Sequence, residues 1–418
     1  MRHLQRRSTL LLSWPMAIGL LALLLTAACS KDKNVDQPAK LTPLPHPSLR
    51  VQHVWSHSVG DKKAVALRLS LGASIADDRV YAAGHHGDVV ALDLNTGHVV
   101  WRTKVKAPLS GGTAAGFGLV LVGSSDGRLF AFDAASGKSR WNVRLNGEVL
   151  APAAISPKLI VVRTVDGKLR ALSPEDGHEL WTQEQQVPRL SLRGTASPVI
   201  VGDLVLCGFD NGKVVAVSAA DGGVQWETTV TPPHGRTELE RLVDIDSPVE
   251  VAGRDVYAVG FQGKVAMLAL DTGQVWWSHD ASSYRGLTRG DDSLYISEAD
   301  GEIVVLKART GAEVWRQNAL LHRALSPLAV TDDSVIAGDF QGYVHWVDRA
   351  TGALAARVSS GKVRISTAPL VAGNLVVVIN DRGQISAWRV TPIAGAVATV
   401  RKPVPPSQAP PPPPPENK

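Results

Sequence analysis

Gly123–Trp141, GSSDGRLFAFDAASGKSRW, is one full repeat of this chain, and its pattern decides the fold. A turn ending in Gly127 opens an alternating run (Leu129, Ala131), a second turn ends in Gly137, and Trp141 follows four residues later. Successive side chains of a strand point to opposite faces, so alternation bounded by glycine turns reads as antiparallel hairpin strands.

The unit returns with turn glycines at Gly87, Gly127, Gly167, Gly212, Gly263, Gly301, Gly342 and Gly383. From each of the first seven, the outer-strand position lies 14 residues on: Trp101, Trp141, Trp181, Trp226, Trp277, Trp315 and, degenerated, Ala356. Successive turn glycines are 40, 40, 45, 51, 38, 41 and 41 residues apart, the spacing of four-stranded propeller blades. Gly383 is followed by a single strand near Trp388 and no second turn, whereas Trp55, in VQHVWSHSV, precedes every turn glycine. The sequence therefore predicts an all-β chain, an eight-bladed β-propeller over residues 50–392, with the N-terminal strand completing the last blade. Closure of that kind removes the free edges of an open array.

The flanks are different in kind. Residues 1–28 carry a basic start (Arg2, Arg6, Arg7), an apolar stretch through Leu25 and small residues before Cys29, the arrangement of an export signal. Thr26-Ala27-Ala28-Cys29 resembles a lipobox, which makes Cys29 the expected lipidated first residue. Ordinary cleavage, with Cys29 a bystander, is the other reading. Several acyl chains hold a protein on a bilayer where one does not. Ser30 follows Cys29, which by analogy with lipoproteins in general points to the outer membrane. Residues 29–49 are polar and proline-rich, a predicted tether, and residues 393–418 end in PVPPSQAPPPPPPENK, a predicted polyproline tail. Cys207, the second of two cysteines, has no partner for an internal disulfide and is expected to be a buried small hydrophobe.

Charge and motifs exclude several functions. The formal charge of +5 falls to +2 without the three leader arginines, and no basic stripe with interleaved aromatics appears, so nucleic acid is not a partner of this sequence. No phosphate loop, dinucleotide fingerprint, nucleophile elbow or metal-spaced ligand set is present. The adjacent His85 and His86 are expected to point apart, and Asp93, Asp133, Asp271 and Asp348 to cap turns. The sequence thus predicts no catalytic residue, metal or cofactor.

Candidate binding residues come from the spacing between blades. From outer-strand position to next turn glycine the distance is 24 to 27 residues in five cases and longer in three: 32 from Trp55 to Gly87 and, as insertions into neighbouring blades, 31 from Trp181 to Gly212 and 37 from Trp226 to Gly263. Both insertions fall on one face, and insertions confined to one face of a repeat array commonly form its binding surface. They hold Leu190, Leu192 and Arg193 in PRLSLRG, and Asp244 and Asp246 in GRTELERLVDID. Apolar residues beside an arginine suit an interface anchor. Leucines folded back on the blade, with Arg193 paired to an aspartate, are the structural reading of the same residues.

The repeat resembles the quinoprotein-type propellers of pyrroloquinoline-quinone alcohol dehydrogenases, yet the chain has no vicinal cysteine pair and no segment matching their calcium site. VPRLSLRGTASPV from Val187, RTELERLVDIDSPV from Arg236, LLHRALSP from Leu320 and GYVHWV from Gly342 are similar instead to the propeller lipoproteins of the β-barrel assembly machinery. That resemblance implies a non-enzymatic lipoprotein of the BAM complex, lipid-anchored on the periplasmic face of the outer membrane. It further implies contact with the periplasmic domains of BamA through Leu190, Leu192, Arg193, Asp244 and Asp246, and assistance to nascent outer-membrane β-barrel proteins. A quinone-dependent periplasmic dehydrogenase is the alternative.

Overall fold

The computed structural model describes residues 36–60, 71–192 and 194–394. They contain strands β1–β32, numbered in chain order and grouped in eight antiparallel four-stranded sheets. Blades 1 to 7 span 74–104, 114–144, 154–184, 199–229, 250–281, 287–317 and 329–359, and each runs inner to outer strand in chain order. Blade 8 takes β30 (Leu370–Ala372), β31 (Leu375–Ile379) and β32 (Gln384–Pro392), and its outer strand is β1 (Leu49–Ser58). Leu49 pairs with Pro392 and Ser58 with Gln384, so the ring closes as the stray Trp55 predicts.

One contact recurs from blade to blade. The outer-strand tryptophans Trp55, Trp101, Trp141, Trp181, Trp226, Trp277 and Trp315 each donate Nε1–H to a carbonyl in the second turn of the following blade, at 2.8–3.1 Å. Each indole also lies over that turn's glycine, which has φ near +70°; a Cβ on any of Gly97, Gly137, Gly177, Gly222, Gly273, Gly311 or Gly352 would collide with the ring. This explains the fixed 14-residue spacing. The tryptophan must reach the neighbour at one height, and the glycine must leave the space.

Within its own blade the same tryptophan faces a smaller residue across the ladder: Ala91 for Trp101, Ala131 for Trp141, Ala171 for Trp181, Ala216 for Trp226 and Ala387 for Trp55. In blade 7 the pair is exchanged. Trp346 sits on the third strand, fully buried, and Ala356 stands opposite on the outer strand. Ala356 is therefore a swap, which leaves the blade 7 to blade 8 junction without a docked indole.

Some local expectations change. Gly263 does not carry the turn of blade 5: Gln262 takes the left-handed conformation (φ +51°), and Gly263 instead makes room for Thr231. Asp93, Asp133 and Asp348 accept from backbone N–H groups three residues on, at 2.8–2.9 Å. Asp271 does not cap in this way; it sits two residues before its turn glycine and pairs with Arg254 at 2.6 Å. His85 and His86 meet edge to face at 5.4 Å rather than pointing apart, with His85 Nδ1–H donating to the Leu109 carbonyl. Cys207 is fully buried, and burial pushes its thiol up to about 12. The last stretch of the predicted tether runs from the blade 6 to blade 7 connection to the outer strand of blade 7: Ala39 N–H donates to Leu321 O (2.9 Å) and Ser48 N–H to Ala355 O (3.0 Å). The Arg323 guanidinium donates to Ala39 O and is paired with buried Asp339.

If the docked indoles hold the blades together, Trp141→Ala should destabilise the propeller by about 3–5 kcal/mol. Gly177→Ala, forced into the left-handed region, should cost at least about 1–2 kcal/mol. Chemical denaturation of both single variants and the double variant checks this. Because the two residues share one contact, the double variant should lose less than the sum.

Candidate functional site

Two long connections stand on the face that also carries the glycine hairpins: residues 185–198 join blades 3 and 4, and residues 230–249 join blades 4 and 5. The second has a local order of its own. Thr237-Glu238-Leu239-Glu240 forms a capping box, in which Glu240 Oε2 accepts from the N–H groups of Arg236 (2.7 Å) and Thr237 (2.9 Å) and Glu240 N–H donates to Thr237 Oγ1 (3.2 Å). These donors hold the Glu240 carboxyl below its ordinary range. The turn is thereby set before any partner arrives, and it carries Leu239 at 71% exposure. The sequence reading missed Leu239. The Thr-x-x-Glu spacing was the signal that could have found it.

Past this turn the chain returns inward. Val243 and Ile245 are buried against the blades, Ile245 N–H donates to Phe209 O (3.3 Å), and Asp244 bridges to Phe261, whose N–H donates to Asp244 O at 2.8 Å. Alternation then sends Asp244 and Asp246 to the other side. There they meet Asp210, from the hairpin of blade 4; one oxygen of each of the three carboxylates lies within 4.8 Å of the others. Arg163, at the end of β11 (Ile160–Arg163) in blade 3 and 1% exposed, pairs with Asp210, donates to Gly208 O (2.8 Å) and lies 4.6 Å over the Phe209 ring. The absence of metal-like spacing in the sequence did not reveal this grouping, because its members come from separate turns and loops.

The cluster clasps the two connections together. Asp244 Oδ2 accepts from Leu192 N–H at 3.2 Å, and a Cβ on Gly194 would overlap the Asp246 carboxylate. Gly194 is thus a close-approach glycine, which lets the first connection lie against the second. Of the predicted contact residues, Leu190 is exposed (39%), Leu192 and Asp246 are partly buried, and Asp244 is fully buried. Asp244 therefore positions Leu192 from beneath, and its carboxylate does not reach the surface. Arg193 and Cys29 lie outside the described residues.

Burial raises the pKa of both Asp244 and Asp246, with Asp210 adding to the effect on each and Asp246 adding to that on Asp244; Arg163 opposes the rise in both, and Arg285 also opposes it at Asp246. A buried carboxyl raised in this way favours folding while protonated, and its contribution falls as pH climbs from the ordinary carboxylate range toward the raised value. Asp244→Asn keeps an acceptor for Leu192 and removes the titration. Its stability relative to wild type should therefore increase between pH 5 and pH 8, by about 1.4 kcal/mol per unit of raised pKa crossed. Thermal unfolding across that range measures the difference, and a flat difference would remove the electrostatic account of the clasp.

The comparisons agree with this architecture. A family model described as "Outer membrane protein assembly factor BamB" matches residues 50–108, 85–317 and 299–392. Proteins of that name from Pseudomonas aeruginosa and Kangiella koreensis are 47% and 42% identical over 376 and 378 residues, covering 90% of this chain and 98% and 97% of theirs. The crystal structure of BamB from Moraxella catarrhalis superposes with a TM-score of 0.74 at 26% identity, over 81% of this chain and all of that one. A quinohemoprotein alcohol dehydrogenase from Comamonas testosteroni shares the fold at 13% identity (TM-score 0.64), covering 84% of this chain and 78% of its own. By these matches, which cover about 90% of its length, the chain belongs to the BamB family of outer membrane protein assembly factors.

Proposed function

We propose that this chain is a non-enzymatic scaffold, anchored through a lipid on Cys29 to the periplasmic face of the outer membrane. In this reading it binds the periplasmic domains of BamA through the hairpin-side face of blades 3 to 5 and so assists insertion of β-barrel proteins. One observation carries the reading: two connections from neighbouring junctions, joined by a buried charge cluster, leave Leu190 and Leu239 exposed. A surface ordered in advance loses little entropy on binding, and a few apolar anchors supply most of the energy. Asp244 and Asp246 act as positioning residues, which agrees with the burial of Asp244.

Two features favour an orienting role over capture of substrate strands. Each outer strand of blades 1 to 7 carries a bulge beside its tryptophan position, which interrupts the row of backbone groups that an added strand would need. The last blade is closed by β1, so among the described residues no sheet is left short of its fourth strand. The dehydrogenase reading rests on fold likeness alone, and the two cysteines, Cys29 and Cys207, are far from vicinal.

A pull-down and titration with BamA's periplasmic domains from the same organism tests the assignment. Leu190→Glu and Leu239→Glu should each weaken binding by about 1–3 kcal/mol, roughly fivefold to 150-fold. Trp276→Ser, which changes an exposed residue at the start of an outer strand near the opposite face, should bind as wild type. Unchanged affinity in both leucine variants would move the contact elsewhere.

A further inference from the structure

The exchange of Trp346 and Ala356 has a consequence at the rim. Elsewhere an outer-strand indole and the next blade's second turn fill the junction, but blade 8 has no second turn and Ala356 has no indole. The strap of chain entering β1 covers the gap only in part. What remains is a groove of about 540 Å³ between the strap, with Leu41, Pro43, Leu44 and Pro47, and blade 7, with Tyr343 and Val358. Arg357 fixes the strap across it by donating from Nη2 to Thr42 O at 2.6 Å.

We propose that the chain's own proline-rich tail, residues 395–418, docks in this groove as a polyproline helix. The tail starts at the groove's wall: Pro392 pairs with Leu49, which lines the groove, and Ile393 N–H donates to Ser48 O (2.9 Å). The described chain ends two residues after Pro392, at Ala394, leaving a strand that runs antiparallel to β1. Residues 395–402 can then span up to roughly 26 Å, enough to bring Pro403, Pro405, Pro406 and the run Pro410–Pro415 over the groove.

The chemistry of the two surfaces matches. A polyproline helix has no internal hydrogen bonds, presents its ring faces for packing and leaves its carbonyls free as acceptors. The groove offers leucine and proline surfaces and one tyrosine ring for the faces, with the Arg357 guanidinium on its wall for carbonyls. Aromatic and apolar grooves take such segments because little conformational entropy remains to be lost. Tethering raises the local concentration of the tail to about the millimolar range, so a weak contact suffices.

Hydrogen exchange on the mature chain and on the same chain ended after Ala394 tests this. Removal of the tail should speed exchange at the strap amides of Leu44 and Ser48 and in residues 356–359 by about tenfold, for a contact ten times stronger than the effective concentration requires. A synthetic peptide of residues 395–418, added to the shortened chain, should restore the protection. Val358→Glu and Tyr343→Ala, each verified as folded by circular dichroism, should abolish the peptide's effect. Equal protection in long and short chains, or a peptide effect that survives both substitutions, would overturn the proposal and leave the groove to another occupant.

Discussion

The propeller depends on one contact made seven times: a tryptophan of one outer strand laid over the turn glycine of the next blade, its indole N–H bonded to a carbonyl three residues before that glycine. Each blade alone is a small sheet with two faces to cover. Stacking buries both faces, and the tryptophan adds a directional bond at the rim, where the packing would otherwise open. Two of the three parties are chemically narrow. Only a residue without Cβ fits beneath the ring at positive φ, and only an indole offers so large an apolar face together with one donor.

That regular body makes irregularity informative. Where the connection between blades lengthens, at residues 185–198 and 230–249, the extra chain is not a loose loop. Val243 and Ile245 are drawn into the core, and the alternate residues are thereby committed to the opposite side, where Asp244 and Asp246 meet Asp210 and Arg163. Three carboxylates and a guanidinium in so little solvent are a costly grouping, and charge clusters of this kind specify an arrangement more than they stabilise it. Here the arrangement specified is the relative position of two connections, and with it the placement of Leu190 and Leu239.

The junction of blades 7 and 8 shows the same logic in reverse. The ring must close with a strand from the other end of the chain, so the last blade has no continuous second turn for an indole to rest on. An outer-strand tryptophan there would lack its glycine and its carbonyl. Moving the indole to the third strand, as Trp346, keeps the apolar volume in the core, while Ala356 leaves space outside that the strap from Ala39 to Ser48 partly fills.

The sequence by itself determined the number of blades, the order of strands, the closure by the segment around Trp55 and the position of both insertions. All of these follow from local turn chemistry and a strict spacing, which are properties of neighbouring residues. It also marked Leu190 as a surface candidate. Tertiary structure alone decided that Asp244 is buried beneath Leu192 and that Asp210 and Arg163 complete its cluster. It likewise decided that Gln262, not Gly263, makes the turn of blade 5, because the glycine there is needed where Thr231 approaches. These facts depend on residues far apart in the chain meeting at one point, and no spacing along the sequence encodes such a meeting.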